Sequence, residues 1–352
     1  MIKELKLINF RNFDELKLDS LKNENFIIGE NGIGKTNVLE AISLLGNNSI
    51  TGLSLDELIK KGEDYFFIEY KTDDGKKISF SYSRDLSDTG GLKSKKVYML
   101  NNNKISKKKF NTLTHKCVIF SPIIMNMMYL SPSLRRDFLD NLLKNSFDSY
   151  EKLLIQYKKV VKHRNKILKS INEGKCGKEE IKFWDDKFIS LASEIYKYRF
   201  KIINFLKISI DSTKEYFSGK INTIELIYNS KVSENNIKKD LKKYLKINLD
   251  RDIILGRTPI GPHVDDFDII IDSSPLTHFA SRGETKSVIL WLKLLEGIFI
   301  EKMTGNKPIL MIDDLLSELD EMHKNMLLKK IKYYQTFISS IRKPENKNII
   351  TL

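Results

Sequence analysis

The run Gly29-Glu30-Asn31-Gly32-Ile33-Gly34-Lys35-Thr36 constrains this chain more than any other. An apolar stretch, Phe26 to Ile28, enters it and NVLEAISLL leaves it with helical spacing, so the local order is strand, tight loop, helix. Glycines let the backbone curl until successive N–H groups point inward. The new helix adds the positive end of its dipole, and the result is a cradle for phosphate oxygens. Lys35 is placed to reach the β- and γ-phosphates of a nucleotide, and the Thr36 hydroxyl to ligate Mg²⁺. A glycine-rich turn ahead of an amphipathic helix is the plainer reading, but both flanks here match the context a phosphate loop needs.

Such a loop needs a metal carboxylate. Ile309 to Ile312 has the short apolar character of a strand buried on both faces, and Asp313-Asp314 stand at its C-terminal end, where ligands collect in α/β sheets. Asp313 is expected to hold Mg²⁺, directly or through water, and Asp314 to orient or polarise an attacking water. Paired acids also cap ordinary strands. A third segment, Ser281-Arg282-Gly283-Glu284, precedes a helical stretch from Thr285 to Leu295 and has the form of a capping box.

Taken together, the three segments resemble an ABC-type ATPase. Ser281 to Glu284 is similar to the signature motif of that class, which binds the γ-phosphate held by a second subunit. The resemblance therefore adds Ser281 and Gly283 to Lys35 and Asp314 as catalytic residues. Glu284 departs from the usual Gln. The match narrows to the RecF family of bacterial recombination and repair proteins. Its carriers are IKELKLINFRNFDELKL at the start, FSP from Phe120 followed by LSPSLRRDFLD, YKKVVKHRNKIL from Tyr157, GRTPIGPHVDDF from Gly256, and MIDDLLSELD.

The resemblance implies an α/β fold: an ABC-type P-loop ATPase head with a mixed sheet, plus an inserted helical lobe carrying a short antiparallel helical hairpin. The lobes are expected at 1–120, 121–249 and 250–352. It also implies ATP and Mg²⁺ as cofactors, an ATP-dependent homodimer, and slow, DNA-stimulated hydrolysis. The implied role is recombinational repair, replication restart and the SOS response on single-stranded and gapped double-stranded DNA, loading the RecA recombinase with RecO and RecR. Departures are specific. Ile123-Ile124-Met125 replaces an acidic pair, the final segment is expected to be abbreviated, and either Ser339 or Ser340 falls where transporters carry a switch His.

A formal charge of +14 over 352 residues favours a polyanionic partner, although lysine-rich solvated surfaces also produce such a charge. No run approaches the roughly 18 apolar residues of a membrane span, and the first residues read as a strand, so a cytoplasmic protein without membrane contact is expected, and the family resemblance implies that it is nucleoid-associated. Cys117 and Cys176 make neither a disulfide framework nor a metal cluster, and five scattered His give no ligand spacing. His263 lies in a Gly-Pro turn and is not expected to be catalytic.

The middle of the chain has a different period. Ile181, Trp184, Phe188, Leu191, Ile195, Tyr198, Ile202 and Phe205 form a heptad seam. Leu154, Tyr157, Val161, Leu168 and Ile171 form its partner, interrupted by the charge of Arg164, and Gly174 and Gly177 lie between the two arms. Strands are expected at 66–71 and 77–82, and at 221–228 and 267–271 returning to the core. Lys95-Lys96, Lys107 to Lys109 and Arg135-Arg136 are candidate phosphate contacts. Three rival classes share parts of this pattern: a transporter nucleotide-binding subunit, a Rad50- or SMC-like chromosome ATPase with a far longer coiled coil, and a clamp that binds ATP without hydrolysing it.

Overall fold

The computed structural model describes residues 1–46, 52–86, 92–211, 222–279, 282–319, 321–341 and 348–352. They form two units, Met1–Ile124 with Glu296–Leu352, and Met125–Leu295.

In the first unit, β1 (Ile2–Phe10), β2 (Phe13–Leu18), β4 (Tyr65–Thr72), β5 (Lys77–Leu86), β6 (Leu92–Leu100) and β7 (Asn103–Ile105) make an antiparallel sheet in the order β2-β1-β4-β5-β6-β7. Alternation sets its inner face: Phe66, Ile68 and Tyr70 of β4 are buried while the residues between them are less so. The two strands expected at 66–71 and 77–82 are β4 and β5, paired with Phe66 opposite Tyr82 and Ile68 opposite Phe80. Phe66 also meets Phe10 edge-on, with 5.3 Å between ring centroids.

A second sheet is wholly parallel. It contains β3 (Glu24–Ile28), β8 (Cys117–Phe120), β12 (Ile309–Ile312), β13 (Thr336–Ser340) and β14 (Ile349–Thr351), in the order β14-β3-β13-β12-β8. All four residues of β12 are buried, as a strand covered on both faces requires. Helix α1 (Lys35–Leu45) joins the two sheets into one core. Its Val38, Leu39, Ala41, Ile42 and Leu45 cluster with Leu5, Leu7 and Ile68 from one sheet and with Ile27, Met311 and Phe337 from the other. At the edge of the same core, α2 (Lys107–Leu113) lays buried Phe110 on Tyr98 of β6, and α11 (Glu321–Ile331) leads into β13.

The second unit is dominated by α5 (Tyr150–Asn172) and α6 (Ile181–Asp211), which follow α3 (Pro122–Met125) and α4 (Pro132–Ser146). Pairs such as Tyr157 with Phe188 and His163 with Trp184 show that α5 and α6 run antiparallel, forming the expected hairpin. The 31 residues of α6 reach about 46 Å. Leu154, Tyr157 and Leu168 face Ile181, Phe188, Ile195 and Ile202 along the buried seam. Arg164, the charge that interrupts it, is fully buried and bonded. Its Nε donates to Asp185 at 2.7 Å, and its Nη1 donates to Thr258 at 2.8 Å and Asp252 at 3.3 Å.

The later strands do not return to the first unit's sheets. β9 (Ile224–Asn229) and β10 (Asp266–Ile271) pair with each other, Phe267 against Tyr228, and β11 (Ser274–Pro275) extends them into a separate three-stranded sheet. Ile221 lies outside the described residues. With α7 (Ile237–Ile247), α8 (Leu249–Leu255), α9 (Leu276–Phe279) and the first part of α10 (Arg282–Thr304), residues 250–295 belong to the second unit, in place of the ATPase lobe expected at 250–352. The divisions fall after 124 and 295 instead of 120 and 249.

The turn at Gly261-Pro262-His263 sits against the hairpin. Gly261 has φ 122°, and a Cβ there would stand 2.5 Å from the Tyr157 hydroxyl, so glycine alone fits. His263 Nδ1 accepts from the Tyr157 hydroxyl at 2.6 Å, while Nε2 donates to the Thr258 carbonyl at 2.9 Å. Burial pushes its pKa down to about 4. This is a neutral, structural histidine.

Candidate nucleotide site

Parallel pairing brings the ends of neighbouring strands to one edge. Ile28 pairs with Ser340, Ile338 with Ile312, and Ile312 with Phe120, so the loop after β3, the end of β13 and the acids after β12 lie side by side. The loop curls as its glycines allow, Gly32 at φ 85° and Gly34 at φ 117°, and Gly34 is the residue from which α1 starts. The Phe10-Arg11-Asn12 run braces it from the β1–β2 turn. Asn12 Nδ2 donates to the Ile33 carbonyl at 2.7 Å and Asn12 Oδ1 accepts from Asn37 at 2.7 Å. A Cβ on Gly34 would collide with this asparagine at 2.8 Å and with the Phe13 ring at 2.6 Å. Sequence reasoning used this run only as a family mark. Its contact lies 21 residues away in the chain, and no local pattern announces it.

Lys35 is 4% exposed, and its ammonium donates to the carbonyls of Gly29 and Glu30 at 2.9 and 3.0 Å. The Thr36 hydroxyl lies 2.9 and 3.1 Å from the two carboxylate oxygens of Asp313. From β13, the fully buried Ser339 donates to the same carboxylate at 2.8 Å and accepts the Asp314 N–H at 2.8 Å. Of the two candidate serines, it is therefore Ser339 that touches the acids. Asp314 has a left-handed backbone, φ 48°, a conformation a non-glycine residue adopts at a cost.

Burial raises the pKa of Asp313 above the ordinary carboxylate value. Hydrogen bonds from Ser339 and Thr36 oppose that shift, Asp314 adds to it and Lys35 counters it. A partly desolvated carboxylate beside a hydroxyl is a hard-oxygen pair that fits Mg²⁺. Among the described residues no cluster of three His, Cys, Asp or Glu offers a metal a full set of protein ligands.

Lys35, Thr36, Asp313 and Asp314 are thus brought together in the first unit. Ser281 lies outside the described residues. Gly283 stands in the first turn of α10, within the second unit, where its carbonyl accepts from Ser287 at 3.1 Å. In the same turn, Thr285 is hydrogen-bonded to Tyr129 at 2.6 Å. One expected DNA contact is overturned. Arg135 is buried, clamped to Asp266 at 2.8 and 2.6 Å, and donates to the carbonyls of Met127, Met128 and Leu130. Lys95, Lys96 and Lys107 to Lys109 stand exposed on β6 and in the first turn of α2.

A parallel sheet carrying a phosphate loop and an acidic strand end, an antiparallel sheet sharing its core, and a helical hairpin inserted in sequence define an ABC-type P-loop head. The family model described as the RecF/RecN/SMC N terminal domain matches residues 1–351, and the chain belongs to the RecF family of DNA replication and repair proteins. It is 35% identical over 356 residues to the DNA replication and repair protein RecF of Thermoanaerobacter sp. (strain X514), covering 98% of this chain and 95% of that one. It is 36% identical to RecF of Clostridium perfringens, covering 96% and 92%. Among solved structures it is similar to the recombination mediator protein RecF-ATPrS of the RecFOR pathway, with TM-score 0.87 and 33% identity over 100% of this chain and 96% of that one. The RecF-ATP structure matches with TM-score 0.85 and 33% identity, covering 99% and 95%.

Proposed function

We propose that this RecF-family protein binds Mg·ATP at Lys35, Thr36 and Asp313, dimerises around it on gapped DNA, and hydrolyses it slowly to release the DNA. The observation that carries this reading is the convergence of the Thr36 and Ser339 hydroxyls on one Asp313 carboxylate, beside a lysine held inside a phosphate loop. The Gly29 to Thr36 backbone cradles the phosphates. Lys35 exchanges two carbonyl partners for phosphate oxygens, and Thr36 and Asp313 hold the metal. Bound Mg²⁺ supplies neutralisation of phosphate charge. Asp314, held through its N–H by Ser339, orients the attacking water, while Ser281 and Gly283 of a second copy complete the site. In this reading ATP times a DNA clamp, with RecO, RecR and the RecA recombinase as partners in a cytoplasmic, nucleoid-associated pathway. Exposed Lys95, Lys96 and Lys107 to Lys109 suit phosphate contacts without sequence preference. No helix among the described residues is long and apolar enough to cross a membrane.

Mixing two inactive variants tests the composite site. Ser281→Arg spoils the signature and leaves its own phosphate loop intact; Lys35→Met does the reverse. Each alone should lack hydrolysis, and the mixture should recover one working interface per heterodimer. Normal hydrolysis by Ser281→Arg alone would reject the two-chain site.

A further inference from the structure

The α5–α6 hairpin carries a ring cluster that the nucleotide chemistry does not use. Trp184 of α6 stacks on His163 of α5, with centroids 4.7 Å apart and 11° between the planes. Phe183 meets Trp184 edge-on at 5.3 Å. Lys187, one turn along, holds its ammonium 4.2 Å from the centre of the Phe183 ring and 5.8 Å from that of Trp184. Phe183 is 57% exposed and His163 is exposed as well, so ring surface reaches solvent on both sides of the half-buried Trp184. Packing of the hairpin does not require this. At this level the seam is filled by fully buried Arg164, with Leu168 and Ile181 buried on one side of it and Phe188 on the other.

The surrounding charge favours an anion. Lys159, Lys162 and Lys166 flank His163 within a turn on α5, and Lys182 and Lys187 flank Phe183 on α6; all are exposed. The exposed acids of the same stretch are Glu179, Glu180 and Asp186, while Asp185 is engaged by Arg164. Exposed aromatic faces bordered by ammonium groups match a strand whose bases are unpaired, since bases stack on rings while phosphates meet the cations. A duplex hides its base faces. An acidic polypeptide would satisfy the lysines and leave the flat rings without a partner.

We propose that His163, Trp184 and Phe183 form a stacking platform for the bases of single-stranded DNA. The proposal rests on the DNA-binding reading above and gives it a second contact, on the helical unit. The chain has two tryptophans, and Trp291 is 7% exposed, so a fluorescence change on adding oligo(dT) reports Trp184. Oligo(dT) should quench that emission, and Trp184→Phe should abolish the signal. An abasic deoxyribose-phosphate oligomer of equal length should bind on the order of 10-fold more weakly, the size of one base–aromatic stack, and leave the emission unchanged. Phe183→Leu keeps apolar bulk without a flat ring, and His163→Ala removes the outer layer of the stack. Each should weaken oligo(dT) binding by on the order of 10-fold, with helicity and nucleotide affinity intact. Equal quenching by the abasic oligomer or by polyglutamate overturns the platform. If the protein binds gapped DNA while both variants bind oligo(dT) as the wild type does, the platform falls and the DNA-binding reading stands. If the wild type binds no DNA at all, both fall.

Discussion

Replacing Ser339 with Ala removes one hydroxyl that does two things. It donates to the Asp313 carboxylate at 2.8 Å and accepts the Asp314 N–H at 2.8 Å, at a position with no exposure to solvent. The first bond has a charged acceptor, and losing such a bond costs about 1.5–3 kcal/mol. The second loss leaves the Asp314 N–H without the partner that helps fix a left-handed residue, φ 48°, in its conformation. In the proposed site nucleotide binding rests mainly on Lys35 and the loop backbone, which the substitution does not touch. Most of the effect should therefore fall on the step that needs Asp314 in place. A loss of about 1.4–2.8 kcal/mol there corresponds to roughly 10- to 100-fold in hydrolysis rate.

Ser340→Ala is the internal control, because successive residues of a strand face opposite sides of the sheet. Its hydrolysis rate should stay within about 2-fold of wild type, well below the 10-fold that one lost stabilising contact would produce. Ser339→Thr, which keeps a hydroxyl, should recover part of the loss. Steady-state phosphate release, paired with nucleotide affinity measured by calorimetry, separates the two quantities. Wild-type turnover in Ser339→Ala, or an equal defect in Ser340→Ala, would refute the assignment of Ser339 as the group that positions the acids.

Three further outcomes follow from buried charges. Burial raises the Asp313 pKa, so charging this group costs stability as pH rises from the ordinary value of 3.8 through its folded value. Asp313→Asn should thus melt no lower than wild type in EDTA, yet lose the Mg²⁺-dependent part of its nucleotide affinity; a large drop in melting temperature in EDTA would contradict this. For His263 the folded pKa of about 4 lies below the unfolded 6.5, so its contribution is complete above about pH 6.5 and is lost as pH falls towards 4. The ceiling is about 3 kcal/mol from 1.36 kcal/mol per unit. In urea titrations His263→Gln should flatten the pH dependence in that window, while the opposite trend from the buried carboxyls of Asp185, Asp252 and Asp265 is common to both proteins. Arg135→Ala leaves Asp266 unpaired and should cost about 3–5 kcal/mol of stability. DNA affinity lost in a fully stable variant would instead restore Arg135 as a phosphate contact.

What the sequence made legible was chemistry compressed into short runs. Gly29 to Thr36 needs no distant partner to be recognised, since the curl, the lysine and the hydroxyl are all local. Asp313 was legible because an apolar strand of four residues delivers it to a sheet edge. Alternation disclosed β9 and β10 as strands, but alternation carries no address. Whether they extended an existing sheet or paired with each other depended on Tyr228 meeting Phe267, a contact spanning 39 residues. Arg164 interrupts the heptad pattern, yet its role rests on Asp252 and Thr258, 88 and 94 residues further on. Arg135 and Lys95 read alike as basic residues, although only the arginine has Asp266 waiting 131 residues away.

The pair Ser339 and Ser340 marks the limit most sharply. The two residues are chemically identical and adjacent, so composition, propensity and motif weigh them equally. What separates them is parity: β13 lies between β3 and β12, and its pairing with them decides which serine faces the acids and which faces away. A slip of one residue in that register would exchange the two faces. Buried packing resists such a slip, because Phe337 belongs to the α1 core on the same strand and would also change sides. The hydroxyl on Asp313 is therefore fixed by an aromatic residue two positions earlier, and any substitution that loosens Phe337 without touching Ser339 should weaken the site through register.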